Sequence, residues 1–353
     1  MDKECGKSML SIIIPVYNSE RYLEKCINSV LHQTFKNFKL VLVDDASTDK
    51  SGKICDRFSE LDNRVVVIHH DTNKGLSISR EDGMNAVDSE WISFIDNDDF
   101  VHPEMYQRLL SNANKGDMIC IRGEDRTTDE IDNIKWDIKN PELIILRGRD
   151  ACNQIYSNSV DFGFIGPVWG KIIKRSLAKA VLKNVAAYKE KLYWTYMEDV
   201  LFTPLLFYYA KNVVFDNELL YLHRRIVNNL SSTLIPKEYH YESVEAGDVL
   251  LPFFKEKKLT EAYNEYLPGY FMLVMSIWYK VWKNENDASK REHFENRITQ
   301  LYEKYSDDLK AVHTRGIYQI LRKVMVMFFA HHRVLWGKTI GKMYFECGRK
   351  ISY

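Results

Sequence analysis

A chain of 353 residues has room for one large domain or two, and a make-up of 45% apolar and 28% charged residues is that of a globular protein with an ordinary core. Lys and Arg together number 49, as do Asp and Glu, so the formal net charge is zero and no global charge argues for a nucleic-acid partner.

The β-branched run from Leu10 to Val16 reads as a first strand that opens into Tyr17-Asn18. Apolar residues then recur at helical spacing (Tyr22, Leu23, Cys26, Ile27, Val30, Leu31), with Asn18 or Ser19 placed to cap that helix. Phe38 to Val43 is a second strand that stops at Asp44-Asp45. Ser47-Thr48-Asp49 leads into a helix carrying Ile54, Cys55, Phe58 and Leu61. A third strand is expected at Val65 to Ile68, a third helix at Leu76 to Val87, and a fourth strand in Trp91-Ile92-Ser93-Phe94-Ile95. Strands alternating with helices over about a hundred residues argue for a right-handed βαβ sheet with helices on both faces. Beyond it come a helix from Glu104 to Ala113, a strand from Asp117 to Arg122, and a polar insertion through Asn140. The segments 169–177, 197–210 and 221–232 mix aromatics with charges. From Pro236 onward helical spacing dominates, which predicts a helical C-terminal region over 236–353 after an α/β domain over 1–235, itself divided near residue 115.

The stretch Phe94-Ile95-Asp96-Asn97-Asp98-Asp99 is where chemistry is expected. An apolar strand running abruptly into carboxylates is how a buried strand ends at a polar site. In extended chain, side chains two apart share a face, which would set Asp96 beside Asp98 and suit a divalent cation bridging to phosphate. In parallel sheets ligands bind outside the carboxyl ends of the strands. That rule gathers Pro15-Val16-Tyr17-Asn18, Asp44-Asp45 and Asp96-Asn97-Asp98 at one edge. On the residues alone, Asp45 and Asp49 could equally be helix caps, Arg80 an exposed helix charge, Trp169 core, and Glu198-Asp199 the acidic first turn of a helix. The ten histidines show no metal-ligand spacing, and His69-His70 read as surface or packing residues.

Taken together, Ser11-Ile12-Ile13-Ile14-Pro15-Val16-Tyr17-Asn18, Ser29-Val30-Leu31-His32-Gln33-Thr34-Phe35 and Val43-Asp44-Asp45-Ala46-Ser47-Thr48-Asp49 resemble family 2 of the GT-A-fold glycosyltransferases, the inverting enzymes common in bacterial polysaccharide synthesis. The resemblance continues through Asn73-Lys74-Gly75-Leu76, Arg80, the Asp96–Asp99 stretch, Trp169-Gly170-Lys171, Glu198-Asp199 and Tyr221-Leu222-His223-Arg224, and so covers roughly residues 10–232. It implies a Rossmann-like, mostly parallel sheet. It also implies a nucleotide-sugar donor, expected to carry UDP, held by Pro15, Tyr17, Asp45, Arg80, Asp96 and Asn97. Mn²⁺ or Mg²⁺ would sit at Asp98 and Asp96, and Asp199 would be the base that deprotonates the acceptor hydroxyl. Trp169, Lys171, Glu198 and Arg224 would support the donor or the acceptor, a saccharide or lipid-linked saccharide. Glu81, Met197 and Gly170 depart from the family pattern, which commonly has Asn, Gly and Asn there. Two other readings compete. One is a degenerate fold that only binds the nucleotide-sugar. The other is a phosphatase of the haloacid-dehalogenase type, disfavoured because Phe100 replaces its Thr or Val and the motif lies on the fourth strand. No Gly-x-Gly-x-x-Gly follows the first strand, against a nicotinamide enzyme.

The cysteines (Cys5, Cys26, Cys55, Cys120, Cys152 and Cys347) fall in no Cys-x-x-Cys spacing, which reads as free thiols. The first ten residues are too polar and short for a signal peptide, and no apolar run has transmembrane length, so a cytoplasmic protein is expected. Between His313 and Tyr353, eight Lys and Arg face one acid, Glu346, with apolar residues at helical spacing. That segment could lie on the anionic inner face of the membrane or pack on the protein itself.

Overall fold

The computed structural model describes residues 8–140, 142–156, 166–189, 198–225, 238–284 and 288–311. The basic segment beyond His313 lies outside them. The described chain divides into two compact units, one formed by the residues up to Ile155 and from 166 to 225, the other by Tyr156 and the helices from residue 238 onward.

The first unit is built on a sheet of nine strands. β1 (Leu10–Val16), β2 (Phe38–Asp44), β3 (Val65–His69) and β4 (Trp91–Phe94) are mutually parallel, as expected, and lie in the order β3-β2-β1-β4. All seven residues of β1 are buried, which is why the run is apolar at every position but Ser11 rather than alternating. The other half is mixed. β8 (Lys171–Lys174) runs antiparallel to β4 and to β6 (Met118–Arg126), and β6 runs parallel to the long β9 (Asn212–Arg224). The two-residue β5 (Phe100–Val101) and β7 (Leu143–Arg147) each pair antiparallel with β9. An all-parallel arrangement is therefore confined to the N-terminal strands, where βαβ crossovers enforce it, and among the described residues the β6–β9 pair is the one parallel strand pairing in the other half.

The connecting helices are α1 (Leu23–Leu31), α2 (Ser51–Leu61), α3 (Leu76–Asn85), α4 (Met105–Ser111), α5 (Thr128–Asp132), α6 (Gly148–Gln154), α7 (Arg175–Lys189) and α8 (Glu198–Tyr209). The polar insertion after β6 acquires order from a capping box, in which Thr127 and Glu130 satisfy each other's backbone N–H at the start of α5. The same insertion is tied down where the Glu218 carboxylate accepts from the backbone N–H of Lys139 and Asn140.

The second unit contains α9 (Glu238–Glu256), α10 (Thr260–Asn284) and α11 (Ala288–Ala311), the helical region expected from Pro236. Its core is aromatic, with Phe254, Tyr266, Tyr270 and Phe271 buried. A Cβ on Gly247 would lie 2.0 Å from the Tyr270 ring, so glycine is what lets α9 approach α10. Among the described residues, no helix is long and apolar enough to cross a membrane.

α3 is the helix that matters for the site, and it lies unusually close to the sheet. A Cβ on Gly83 would stand 2.6 Å from Ile13 Cγ2 and 3.1 Å from Val43 Cγ2, both fully buried residues of the sheet. Gly83→Ala should therefore push α3 outward and destabilise the protein by about 1–3 kcal/mol, the usual cost of overpacking. Chemical denaturation measures this, and an unchanged midpoint would mean that Ile13 rotates away without cost.

Candidate active site

The carboxyl ends of β1, β2 and β4 meet as the strand order requires. Val16 pairs with Asp44 in register, and Asp45 donates its N–H to Val16 O at 2.8 Å. Asn18, in the left-handed region at φ 47°, turns its Oδ1 onto the backbone N–H of Thr48 at 2.8 Å. Asn97 donates Nδ2–H to Pro15 O at 2.9 Å, which links the β4 end to the β1 end. Pro15 itself is buried, whereas the Tyr17 ring is 45% exposed at the mouth, free to meet a planar ligand. The three sequence stretches thus form one edge, as expected.

The acidic stretch differs from the extended ribbon expected of it. β4 ends at Phe94, and Asp99 N donates to Asp96 O at 3.1 Å, closing a tight turn over residues 96–99. Two-residue alternation does not apply inside a turn. The carboxylate atoms that converge are those of Asp96 and Asp99, which together with a ring nitrogen of His223 lie within 4.8 Å of one another; Asp98 is not one of these three. Asp99 is wholly buried, and its partners come from β9: the Tyr221 hydroxyl donates to Oδ2 and the Arg224 backbone N–H to Oδ1 at 2.8 Å. The Arg224 guanidinium adds Nε–H to Asp98 O at 2.7 Å, and the buried Cys26 thiol donates to Asp96 O at 3.4 Å.

Crowding of negative charge shows in the titration of the turn. Burial, then the neighbouring Asp96, pushes Asp98 up to about 6. Burial and Asp98 raise Asp99 well above the carboxylate range. Burial works against a charged His223, but Asp99, Asp96 and Asp125 outweigh it and its pKa rises. Two carboxyls raised by burial and by neighbouring negative charge, beside an imidazole that the same charge raises, are a set that a cation would relieve. Oxygen donors suit Mg²⁺ or Mn²⁺, and the imidazole nitrogen favours Mn²⁺ between them. The residues present therefore fit a divalent cation.

Behind the turn, Trp169 lies flat across two residues of β9 that share a face. Its ring stacks on Tyr221 at 4.4 Å and 8° and on His223 at 5.7 Å and 12°. Gly123, opposite Tyr221 in β6, leaves the space, since a Cβ there would meet the indole at 2.4 Å. Lys171 is buried, and its Nζ donates to Pro167 O and, at 3.1 Å, to Trp169 O, so it holds the segment that carries Trp169. Gly170 sits at φ +68°, where glycine and asparagine are the residues best tolerated, so the backbone here suits this residue and the Asn of the family pattern alike.

On the other side of the edge, Asp45 is buried with three donors on its oxygens: His70 Nδ1 at 2.7 Å and the N–H groups of Lys74 and Gly75 at 2.8 Å each. A base N–H would be a further donor to this carboxylate. His70 also meets Asp82 at 3.1 Å and His69 bridges Asp44 and Asp56, so each histidine links two carboxylates rather than merely packing. Asp45 thereby fixes Gly75, at φ +91°, which begins α3 and so places Arg80. Arg80 is buried and pairs with Asp96 at 2.5 Å. Glu198 and Asp199 fall in the first turn of α8, and their side chains lie outside the described residues.

His223 and Tyr221 carried no role in the sequence reading, although their two-residue spacing on a strand was the signal available. Asp99 was visible in the acidic stretch, but its burial was not.

A family model described as "Glycosyl transferase family 2" matches residues 11–220. The glycosyltransferase GlyG of Streptococcus pneumoniae serotype 4 is 31% identical over 247 residues, 67% of this chain and 77% of GlyG. The cholesterol galactosyltransferase of Borreliella burgdorferi is 26% identical over 320 residues, covering 86% of this chain and 85% of that protein. Among solved structures, that of S. aureus TarS 1–349 superposes with a TM-score of 0.61 at 19% identity, covering 96% and 91% of the two chains.

Because the Tyr221 hydroxyl donates to Asp99 with both residues wholly buried, Tyr221→Phe should cost about 1–3 kcal/mol of stability, the range for a buried polar group left short of a partner. Denaturant titration of the two proteins gives the difference. Equal midpoints would show that Asp99 finds another donor.

Proposed function

The chain belongs to glycosyl transferase family 2, and from that premise we propose that it moves a sugar from a UDP-sugar to a hydroxyl of a saccharide or lipid-linked saccharide acceptor by a single inverting displacement. The observation that carries this reading is the meeting of the β1, β2 and β4 ends with the acidic turn, inside the matched region. TarS, whose fold this chain shares, has also been crystallised in complex with UDP-GlcNAc, which supports the choice of donor class.

In this reading the exposed ring of Tyr17 stacks on the base, with Pro15 and Asp45 beside it. Asp96 and Asp98 hold a divalent cation, with Asp99 and His223 the further donors that the fold brings within reach. When bound, such a cation offsets the negative charge that grows on the departing nucleotide diphosphate. Arg80 and Asn97 lie on the donor side of the turn and orient the diphosphate. Asp199, in the first turn of α8, accepts the proton of the acceptor hydroxyl as it attacks the anomeric carbon from the face opposite the leaving group. Trp169, Lys171 and Arg224 support that geometry from behind, and Glu198 supports the donor or the acceptor. The acceptor is read from the segments around 123–165 and 178–197, and the basic segment beyond His313 is suited to an anionic membrane surface.

A panel of nucleotide-sugars assayed for hydrolysis and transfer, with and without Mn²⁺, tests the reading. UDP-sugars should be consumed, chelation should abolish the reaction, and Asp98→Ala should weaken donor binding as well as turnover. Full activity in excess chelator would remove the metal from the scheme.

Asp199→Asn keeps the size of the side chain but cannot take up the proton. Turnover should fall by roughly 10²–10⁴ with UDP affinity nearly unchanged. Wild-type turnover in that variant would put the base elsewhere.

A further inference from the structure

Arg80 and the proposed cation both address one carboxylate. The Arg80 guanidinium meets Asp96 Oδ1 at 2.5 Å with 7% of its side chain exposed, while Asp96 retains 27% exposure and is one of the three residues whose ligand atoms converge. Arg80 stands on a fixed stretch of backbone, from which only its side chain can turn. It rides on α3, whose start is fixed by Asp45 through the Lys74 and Gly75 N–H groups, whose Gly83 lies against Ile13, and the guanidinium sits 5.9 Å from the Phe94 ring centroid.

We infer that Arg80 is a built-in counter-ion that competes with the divalent cation for Asp96, and that the donor diphosphate relieves the competition by giving the guanidinium a second anion. The inference rests on the reading of the turn as a cation and diphosphate site. Two positive charges on one partly desolvated carboxylate repel, so each weakens the other's hold on Asp96. A diphosphate oxygen is an alternative partner of the kind guanidinium prefers, and its arrival shifts Arg80 off Asp96 as the cation takes it up. By reciprocity, cation and nucleotide then favour each other's binding, part of that coupling passing through Arg80. Arg80 is here a positioning residue, and its effect has a sign opposite to that of a simple structural brace. A brace, when removed, loosens Asp96 and weakens metal binding. A competitor, when removed, strengthens it.

The test is Mn²⁺ titration of the full chain by calorimetry or electron paramagnetic resonance, with UDP absent and then saturating. Without UDP, Arg80→Gln should bind Mn²⁺ roughly three- to tenfold tighter than wild type, as expected for removal of one nearby positive charge in a partly screened setting. With Mn²⁺ saturating, the same variant should bind UDP about tenfold more weakly, so the metal–nucleotide coupling shrinks. Arg80→Lys, which keeps the charge, should restore Mn²⁺ affinity to near the wild-type value. Arg80→Met keeps the apolar stem beside Phe94, and serves in place of the Gln variant should that one fail to fold. Folded neutral variants with unchanged or weaker Mn²⁺ binding would overturn the inference while leaving the metal site standing. Wild-type protein that binds no Mn²⁺, with or without UDP, would instead overturn the metal site on which it rests.

Discussion

The site depends on how four hydrogen-bonding groups hold a turn that would otherwise repel itself. Asp96, Asp98 and Asp99 place three carboxylates in four residues, and burial raises the cost of charging them. β9 answers with the Tyr221 hydroxyl and Arg224 N–H on Asp99 and the Arg224 Nε–H on Asp98 O, while Arg80 meets Asp96 from α3. Hydrogen bonds to charged groups contribute about 1.5–3 kcal/mol each, so together they are enough to hold the turn in one shape. The stacking of Trp169 over Tyr221 and His223 then keeps those two rings from swinging away, and the absent side chain of Gly123 makes room for it.

A second frame comes from α3. Its start is set by Asp45 through the turn at Lys74-Gly75, its middle by the contact of Gly83 with β1 and β2, and its exposed edge by Asp82 on His70. One helix therefore joins the carboxylate at the end of β2 to the carboxylate at the end of β4. That is why Asp45 has significance beyond any ligand it touches. Moving it moves Arg80.

The N-terminal strands and helices were legible because each carries a strong local signal: long apolar runs for β1 and β2, helical spacing for α1 and α2, and abrupt acidic ends. The convergence of residues 15–18, 44–45 and 96–98 followed from the parallel-sheet rule alone. The mixed half was harder to read. β9 alternates only in part, buried on most positions by its pairing with β5, β6 and β7, so its first residues at 212–216 gave no clear strand signal. The shape of the acidic stretch was misjudged for a local reason, since four polar residues after a strand can extend or turn, and only the Asp99 to Asp96 hydrogen bond decides.

Sequence by itself determined the order of the N-terminal α/β elements, the helical character after Pro236, the meeting of residues 15–18, 44–45 and 96–98 at one edge and the resemblance that the family match bears out. These follow from short-range periodicity and from motifs in a fixed order. Tertiary structure alone decided which side chains meet: His223 with Asp96 and Asp99, Tyr221 with Asp99 across 122 residues, Arg80 with Asp96, and His70 with Asp45. Such pairings depend on strand register and on how close a helix can lie to a sheet. Both are set by packing between segments far apart in the chain, and no local pattern encodes them.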